Sequence, residues 1–424
     1  MITVGAVWLG GRVPLPLRWA AAVAATGVVA GLAGAALMGV LRLVQHLAYG
    51  LFDHGFGAAV VAADPARRVA AMAAGGLAVG LGWWALQRWT SPVREAEDVV
   101  GGPLGGRMRL RSTAADAVLQ VVAVGAGASL GREGAPRQVG AAAGGWLAAR
   151  CGLEAQAQRV LLACGAGAGL AAVYDVPLGG ALFTLEVLLT TLAPVAVLSA
   201  VATSVIAAMV AWPFVGMGHV FTVSHLTSPT ASLVVAAVVV GPLAAGVGLA
   251  FRALAGWARR LAPRGWRLPV ATTLAFAVVG LVAVPLPQVL GNGRAPAELA
   301  FVGQLGLVTA VLLLVARPLA TALCLGSGAR GGLLTPAVAL GALLGLLGAA
   351  AWSQLWPGAP ASALAVVGAA AVLSVTQRAP LTATVLLLEF TGSATTLLVP
   401  VLAAVTTATA TARLVGSRPS PTPP

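Results

Sequence analysis

Between residues 177 and 215 the chain carries one charged side chain, Glu186. That run is nearly twice the roughly 20 residues a helix needs to cross a hydrocarbon core. Similar runs recur at about 19–41, 69–86, 114–130, 139–149, 160–173, 232–253, 268–284, 302–325, 336–352, 361–375 and 381–414. Only 9% of the 424 residues are charged and 59% are hydrophobic. A soluble domain carries about 25% charged residues, so too little polar surface exists to keep this chain in water. The runs lack the alternation of a β-barrel. An all-α, multi-pass protein of the cell membrane, embedded in a lipid bilayer, is the expected class.

The runs are uneven, and several are too short for a simple span. Glycine and proline interrupt them, as in proteins built from tilted, re-entrant or discontinuous helices. The sharpest interruption is GAGASLGREGAPRQVG at residues 125–140, which sets Arg132, Glu133 and Arg137 among glycines, with Pro136. A charge at membrane depth is costly and marks function by default. Irregular backbone is tolerated there only where protein or a watery cavity receives it. The stretch reads as half of an ion site.

The net charge of +13 comes entirely from arginine, mostly placed between apolar runs. That placement fits cytoplasmic loops and lipid headgroups, not nucleic acid. The arginines of 252–267 form an expected cytoplasmic loop. Arg12 and Arg18 before the first run place the N-terminus in the cytoplasm. The expected organisation is a cytoplasmic segment over 1–18, one transmembrane domain over 19–416 and a cytoplasmic tail over 417–424. The domain halves are about 19–215 and 230–416. Cys151, Cys164 and Cys324 lie far apart and read as packing residues. No metal or cofactor is called for. His46, His54, His219 and His225 read as membrane-edge residues.

The two halves repeat one another. AAVYDVPLGGALFTLEVL contains Pro177, Leu178 and Glu186; SVTQRAPLTATVLLLEFT contains Pro380, Leu381 and Glu389 at the same spacing. Upstream of each lies a second pair, GAGASLGREGAP ending at Pro136 and GSGARGGLLTP ending at Pro336, each proline expected to open a helix. A two-fold repeat is the mark of transporter folds with a site between the halves. Whether the halves are inverted depends on the parity of crossings.

These motifs resemble the CLC family of chloride channels and chloride/proton antiporters. GREGAP at 131–136 is similar to the family's GREGP motif, and GGLLTP at 331–336 to its GxFxP motif, with Leu334 where Phe is usual. Segments 171–186, 284–293 and 378–392 also resemble family segments, over about 69–412 in all. The resemblance implies the family's inverted two-repeat fold and a homodimer with one pathway per subunit. It also implies chloride or a similar small anion as cargo, with protons as a second one in the antiporters. Backbone N–H groups of Arg132, Glu133 and Gly134 would face the anion from one side. Those of Leu333, Leu334 and Thr335 would face it from the other, and Glu133 would be the gate. The chain departs from the family at three places. SPVREAE at 91–97 stands where GSGIP belongs, with Ser91 as the nearby serine. No tyrosine follows Arg418. Val187 occupies the place of the antiporters' inner proton-transfer glutamate.

Several chemical readings compete. Helix N-termini suit a weakly held anion, because dipoles and N–H groups bind it without burying a full cation. The alternative for Glu133 is a structural pair with Arg132 or Arg137. Glu186 and Glu389 read as ties of helices. Asp175 reads as a helix N-cap and Asp116 as a first-turn helix acid. Arg317, Arg330 and Arg378 either line vestibules or snorkel to headgroups. Gly127-Ala-Ser129-Leu-Gly131 matches the G-x-S-x-G pattern of serine hydrolases, a remote alternative on a helical stretch without a nearby histidine. The expected protein is therefore an anion transporter rather than an enzyme. It would be channel-like or weakly proton-coupled, with a fully coupled antiporter as the alternative.

Overall fold

The computed structural model describes residues 15–50, 55–224 and 229–416. Arg12, His54, His225, Arg418, most of the expected N-terminal segment and the tail over 417–424 lie outside the described residues. Among the described residues the chain is helical. In order come α1 (Leu15–Tyr49), α2 (Gly55–Ala62), α3 (Pro65–Trp89), α4 (Ala96–Gly101), α5 (Leu110–Gly125) and α6 (Gly134–Arg150). Then follow α7 (Ala155–Tyr174), α8 (Pro177–Leu182), a π-helical segment (Phe183–Leu189) and α9 (Pro194–Val215). Next are α10 (Ala231–Arg260), α11 (Arg267–Val282), a 3₁₀ turn (Pro287–Val289), α12 (Arg294–Phe301) and α13 (Leu307–Gly326). The last are α14 (Leu334–Trp352), α15 (Ala361–Gln377), α16 (Pro380–Thr391) and α17 (Ala394–Gly416). Eight described helices are long and apolar enough to cross a membrane.

Local chemistry sets many boundaries. Asp64 caps α3 by accepting from the Ala66 N–H at 2.8 Å, with Pro65 at the first helical position. Thr230 caps α10 by accepting from the Leu233 N–H. Helix α10 continues through Arg259 and Arg260, so the arginine-rich region expected as a loop is largely helical. Pro136 and Pro336 each fall at the third residue of α6 and α14, inside the first turn rather than opening the helix.

The chain forms two compact units. One comprises residues up to 36, 92–117 and 136–217; the other comprises 37–91, 118–135 and 218 onward. In the first unit, α6 and α7 pack with backbones in contact. A Cβ at Gly140 would fall on the Gly165 carbonyl, and one at Gly144 on that of Leu161. In the second unit, α14 and α15 do the same. Gly341 faces the Gly368 carbonyl and Gly345 that of Leu364. Each pairing is a G-x-x-x-G seam, the means by which membrane helices approach closely.

The Pro-Leu motifs also match in structure. Helix α7 ends at Asp175 in the left-handed region (φ 55°), and α15 ends at Arg378 likewise (φ 56°). Two positions later Pro177 opens α8 and Pro380 opens α16, each after a single intervening residue. Asp175 is therefore a C-terminal residue of α7, not the N-cap of α8; its carboxylate accepts from Trp212 Nε1 at 2.7 Å. The motifs then part: α8 passes into the π-helical segment bearing Glu186 and Val187, whereas α16 stays α-helical. Asp116 is buried in the second turn of α5, because that helix begins at Leu110, earlier than its acidic residue suggests.

The seam predicts a contrast. Gly341→Ala puts a methyl into the α15 backbone and should cost about 1–3 kcal/mol. Gly246→Ala in α10 meets nothing within 4 Å and should gain about 0.5–1 kcal/mol from helix propensity. Thermal loss of the monodisperse gel-filtration peak in detergent reads both.

Candidate functional site

Helix α5 ends at Gly125, and the chain runs irregularly to Glu133 before α6 begins. An unsatisfied backbone group at membrane depth costs several kcal/mol, so the partners of this stretch decide whether it can exist there. All of them lie in the second compact unit. The Ala126 carbonyl accepts from Tyr49 Oη at 2.6 Å. The Gly127 carbonyl accepts from the Gly291 N–H at 2.8 Å. The Ser129 carbonyl accepts from Thr321 Oγ1 at 2.7 Å. Gly131 then exchanges two hydrogen bonds with Gly332, 2.8 Å from its own N–H and 2.9 Å to its carbonyl. This reciprocal bridge ties the segment before α6 to the segment before α14.

Glycine is required at these points for space. Gly127 has φ +114°, and a Cβ there would crowd Tyr49 Oη and Met72 Sδ. At Gly131 and Gly332 a Cβ would fall on the carboxylate of Glu133. The two bare Cα faces enclose that group.

Glu133 is fully buried. Its Oε1 accepts from the Leu334 N–H at 2.7 Å, and its Oε2 accepts from Thr335 Oγ1 at 3.0 Å. The backbone N–H groups of Glu133 and Thr335 also face the carboxylate. Leu334 and Thr335 are the first two residues of α14. Their N–H groups have no partner within the helix, and the helix dipole favours negative charge there. The carboxylate thus occupies an anion seat at a helix N-terminus.

The structure brings Glu133, Leu334 and Thr335 into direct contact. Gly134 lies beside them: a Cβ on it would stand 2.6 Å from Gln120 Oε1 and 3.3 Å from the Gly332 N–H. Arg132 is half-buried in the bend between the bridge and α6. Leu333 is the N-cap of α14, and its carbonyl accepts from Ala337. Arg137, offered as a structural partner of Glu133, instead pairs with Glu97 in the first unit and lies over the Phe183 ring at 4.3 Å.

Arg317 neither lines a vestibule nor snorkels. It is buried, and its guanidinium donates to the carbonyls of Gln288, Val289 and Gly291 at 2.9–3.2 Å. The loop around Gly291 needs those donors, which is why a cation is held inside. Ser129 is buried beside Thr321, in a bend after a helix rather than on a strand-to-helix elbow. Ser91 is exposed in the extended stretch after α3. Reading the sequence missed Gln120, a buried amide in an otherwise apolar run. Its polarity was the available signal. It also missed the Thr335 hydroxyl, for which a backbone role alone was expected.

The family model described as "Voltage gated chloride channel" matches residues 74–413. The chain belongs to this family, the CLC proteins. A ClcB-like chloride channel protein of Ralstonia nicotianae is 32% identical over 399 residues, covering 90% of each chain. The H(+)/Cl(-) exchange transporter ClcA of Yersinia pestis is 31% identical over 306 residues, covering 70% of this chain and 64% of that one. Among solved structures, a slow cyanobacterial Cl-/H+ antiporter superposes with a TM-score of 0.80 at 24% identity, over 95% of this chain and 96% of that one. The fold is the CLC fold, and the chain is a multi-pass membrane protein.

The geometry around Glu133 makes a structural prediction. Gly332→Ala leaves the backbone bridge intact but fills the space of the Glu133 carboxylate. In a structure of that variant Glu133 should be rotated off the Leu334 N–H. A carboxylate still 2.7 Å from that nitrogen would refute the packing argument.

Proposed function

We propose that this CLC protein moves chloride, or a small anion like it, across the bilayer along a pathway that Glu133 opens and closes. One observation carries the reading: a buried carboxylate accepts from Leu334 and Thr335 at the start of α14. A carboxylate and a halide compete for the same N–H groups and the same dipole. While Glu133 is seated, the anion is shut out. Protonation removes its charge, or an arriving anion displaces it, and the seat becomes free. The donors nearest the anion are those of Leu334, Thr335 and Glu133, with Arg132, Gly134 and Leu333 flanking them.

Coupling to protons is weak or absent in this reading. Val187, not a carboxylate, stands where antiporters of the family carry the inner proton-transfer glutamate, on the π-helical segment. Full chloride/proton exchange is the alternative, with the neighbouring Glu186 handing on the proton. The unit of function is a homodimer with one pathway per subunit, and the repeat halves are about 19–215 and 230–416.

Purified protein in liposomes tests each part. Glu133→Gln should give chloride flux that no longer responds to external pH; flux that still tracked pH like the native protein would rule out Glu133 as the gate. Under a proton gradient at equal chloride, the native reversal potential should stay within a few millivolts of zero. A clear shift would establish exchange instead.

A further inference from the structure

Threonines inside the helices of this protein mostly turn their hydroxyls back on their own helix. Thr26, Thr203, Thr272, Thr376 and Thr391 each donate to the carbonyl four residues earlier. Thr335 cannot do so, because it is the second residue of α14 and no helical carbonyl precedes it by four. Its hydroxyl reaches instead across 202 positions of sequence to Glu133 Oε2 at 3.0 Å, in a buried setting. The carboxylate is therefore held at both oxygens by groups of different character. The Leu334 N–H donates to Oε1 in a direction fixed by the helix. The Thr335 O–H can swing about its C–O bond and can accept as well as donate.

We propose that the Thr335 hydroxyl is a positioning and anion-binding group with two successive partners. It latches the ionised Glu133 carboxylate in the seat, and it turns to the transported anion once the carboxylate has left. Geometry supports the second role. Oγ1 and the Leu334 nitrogen donate to the two oxygens of one carboxyl group at 3.0 and 2.7 Å, and a single halide placed between them is within reach of both donors. A donor to a full charge contributes more than one to a neutral group, so the hydroxyl acts on whichever anion is present. When Glu133 is protonated, the same oxygen can accept a hydrogen bond from the acid's O–H. The backbone donors of the seat have no such option.

This inference rests on the gate reading, and the experiment separates the two. Chloride binding is measured by calorimetry on detergent-solubilised protein, and chloride flux in liposomes at neutral pH. Glu133→Ala alone checks the gate: flux unchanged from native sinks that reading whatever position 335 does. In the Glu133→Ala background, adding Thr335→Val, which keeps the shape and removes the hydroxyl, should weaken chloride binding about tenfold. Adding Thr335→Ser should leave it within about twofold, since the hydroxyl is restored. With Glu133 intact, Thr335→Val should raise neutral-pH flux several-fold because the latch is gone. Thr335→Ala is made alongside as a smaller variant with the same expected outcomes, should the valine protein not be recovered monodisperse. Equal chloride affinity with and without the hydroxyl overturns the proposal, as does native-like flux when it is removed from the protein with Glu133 intact.

Discussion

Two glycines that exchange a pair of hydrogen bonds hold this site together. The Gly131–Gly332 bridge joins the segment leading into α6 with the segment leading into α14. Without it, the N–H and carbonyl groups that Gly131 and Gly332 exchange would be left unpaired, and at membrane depth the cost of each orphaned group is several kcal/mol. Neither glycine carries a side chain, so the space beside the bridge remains for one carboxylate. A single device thus satisfies the polar backbone and shapes the seat. Larger side chains would serve the first need only by abolishing the second.

Along the chain the same local solutions appear twice. A G-x-x-x-G seam brings α6 against α7 in one unit, and α14 against α15 in the other. Each second helix ends in a left-handed residue, followed two positions later by a proline that opens the next helix. Asp175 and Arg378 occupy that strained conformation although neither is glycine. Opposite charges in the same backbone state show that the repeat conserves conformation rather than chemistry. The copies diverge where chemistry differs: Glu186 and Val187 sit in a π-helical stretch, and Glu389 does not.

Much of this was legible in the amino-acid sequence. Long uncharged runs dictate helices across a bilayer, and the glycine-rich breaks ending at Pro136 and Pro336 announce where those helices are interrupted. The meeting of Glu133 with Leu334 follows from the two motifs that carry them. The bridge was not legible, because backbone pairing between glycines leaves no side-chain signature. Nor was the sealing of the Ala126–Ser129 carbonyls by Tyr49 and Thr321, which depends on residues that look like packing. Asp175, Asp116 and Arg317 were misread for a shared reason. Each was judged from its neighbours in sequence, and each is fixed by a partner or a helix boundary that only the tertiary structure supplies. The role of Thr335 turns on its depth within a helix, and an uncertainty of one residue at that boundary would have hidden it.

The buried guanidinium of Arg317 has a wider consequence. It pins the Gln288–Gly291 turn; that turn holds Gly127, and the irregular segment from Gly127 leads through Gly131 to Gly332. The frame around the carboxylate is thus braced from behind by a chain of bonds with little slack. Remodelling the frame would mean breaking several at once, whereas rotating one glutamate about its own bonds breaks only those its carboxylate accepts. The cheapest moving part is a lone side chain against a fixed wall, much as a latch moves while its doorframe stays still.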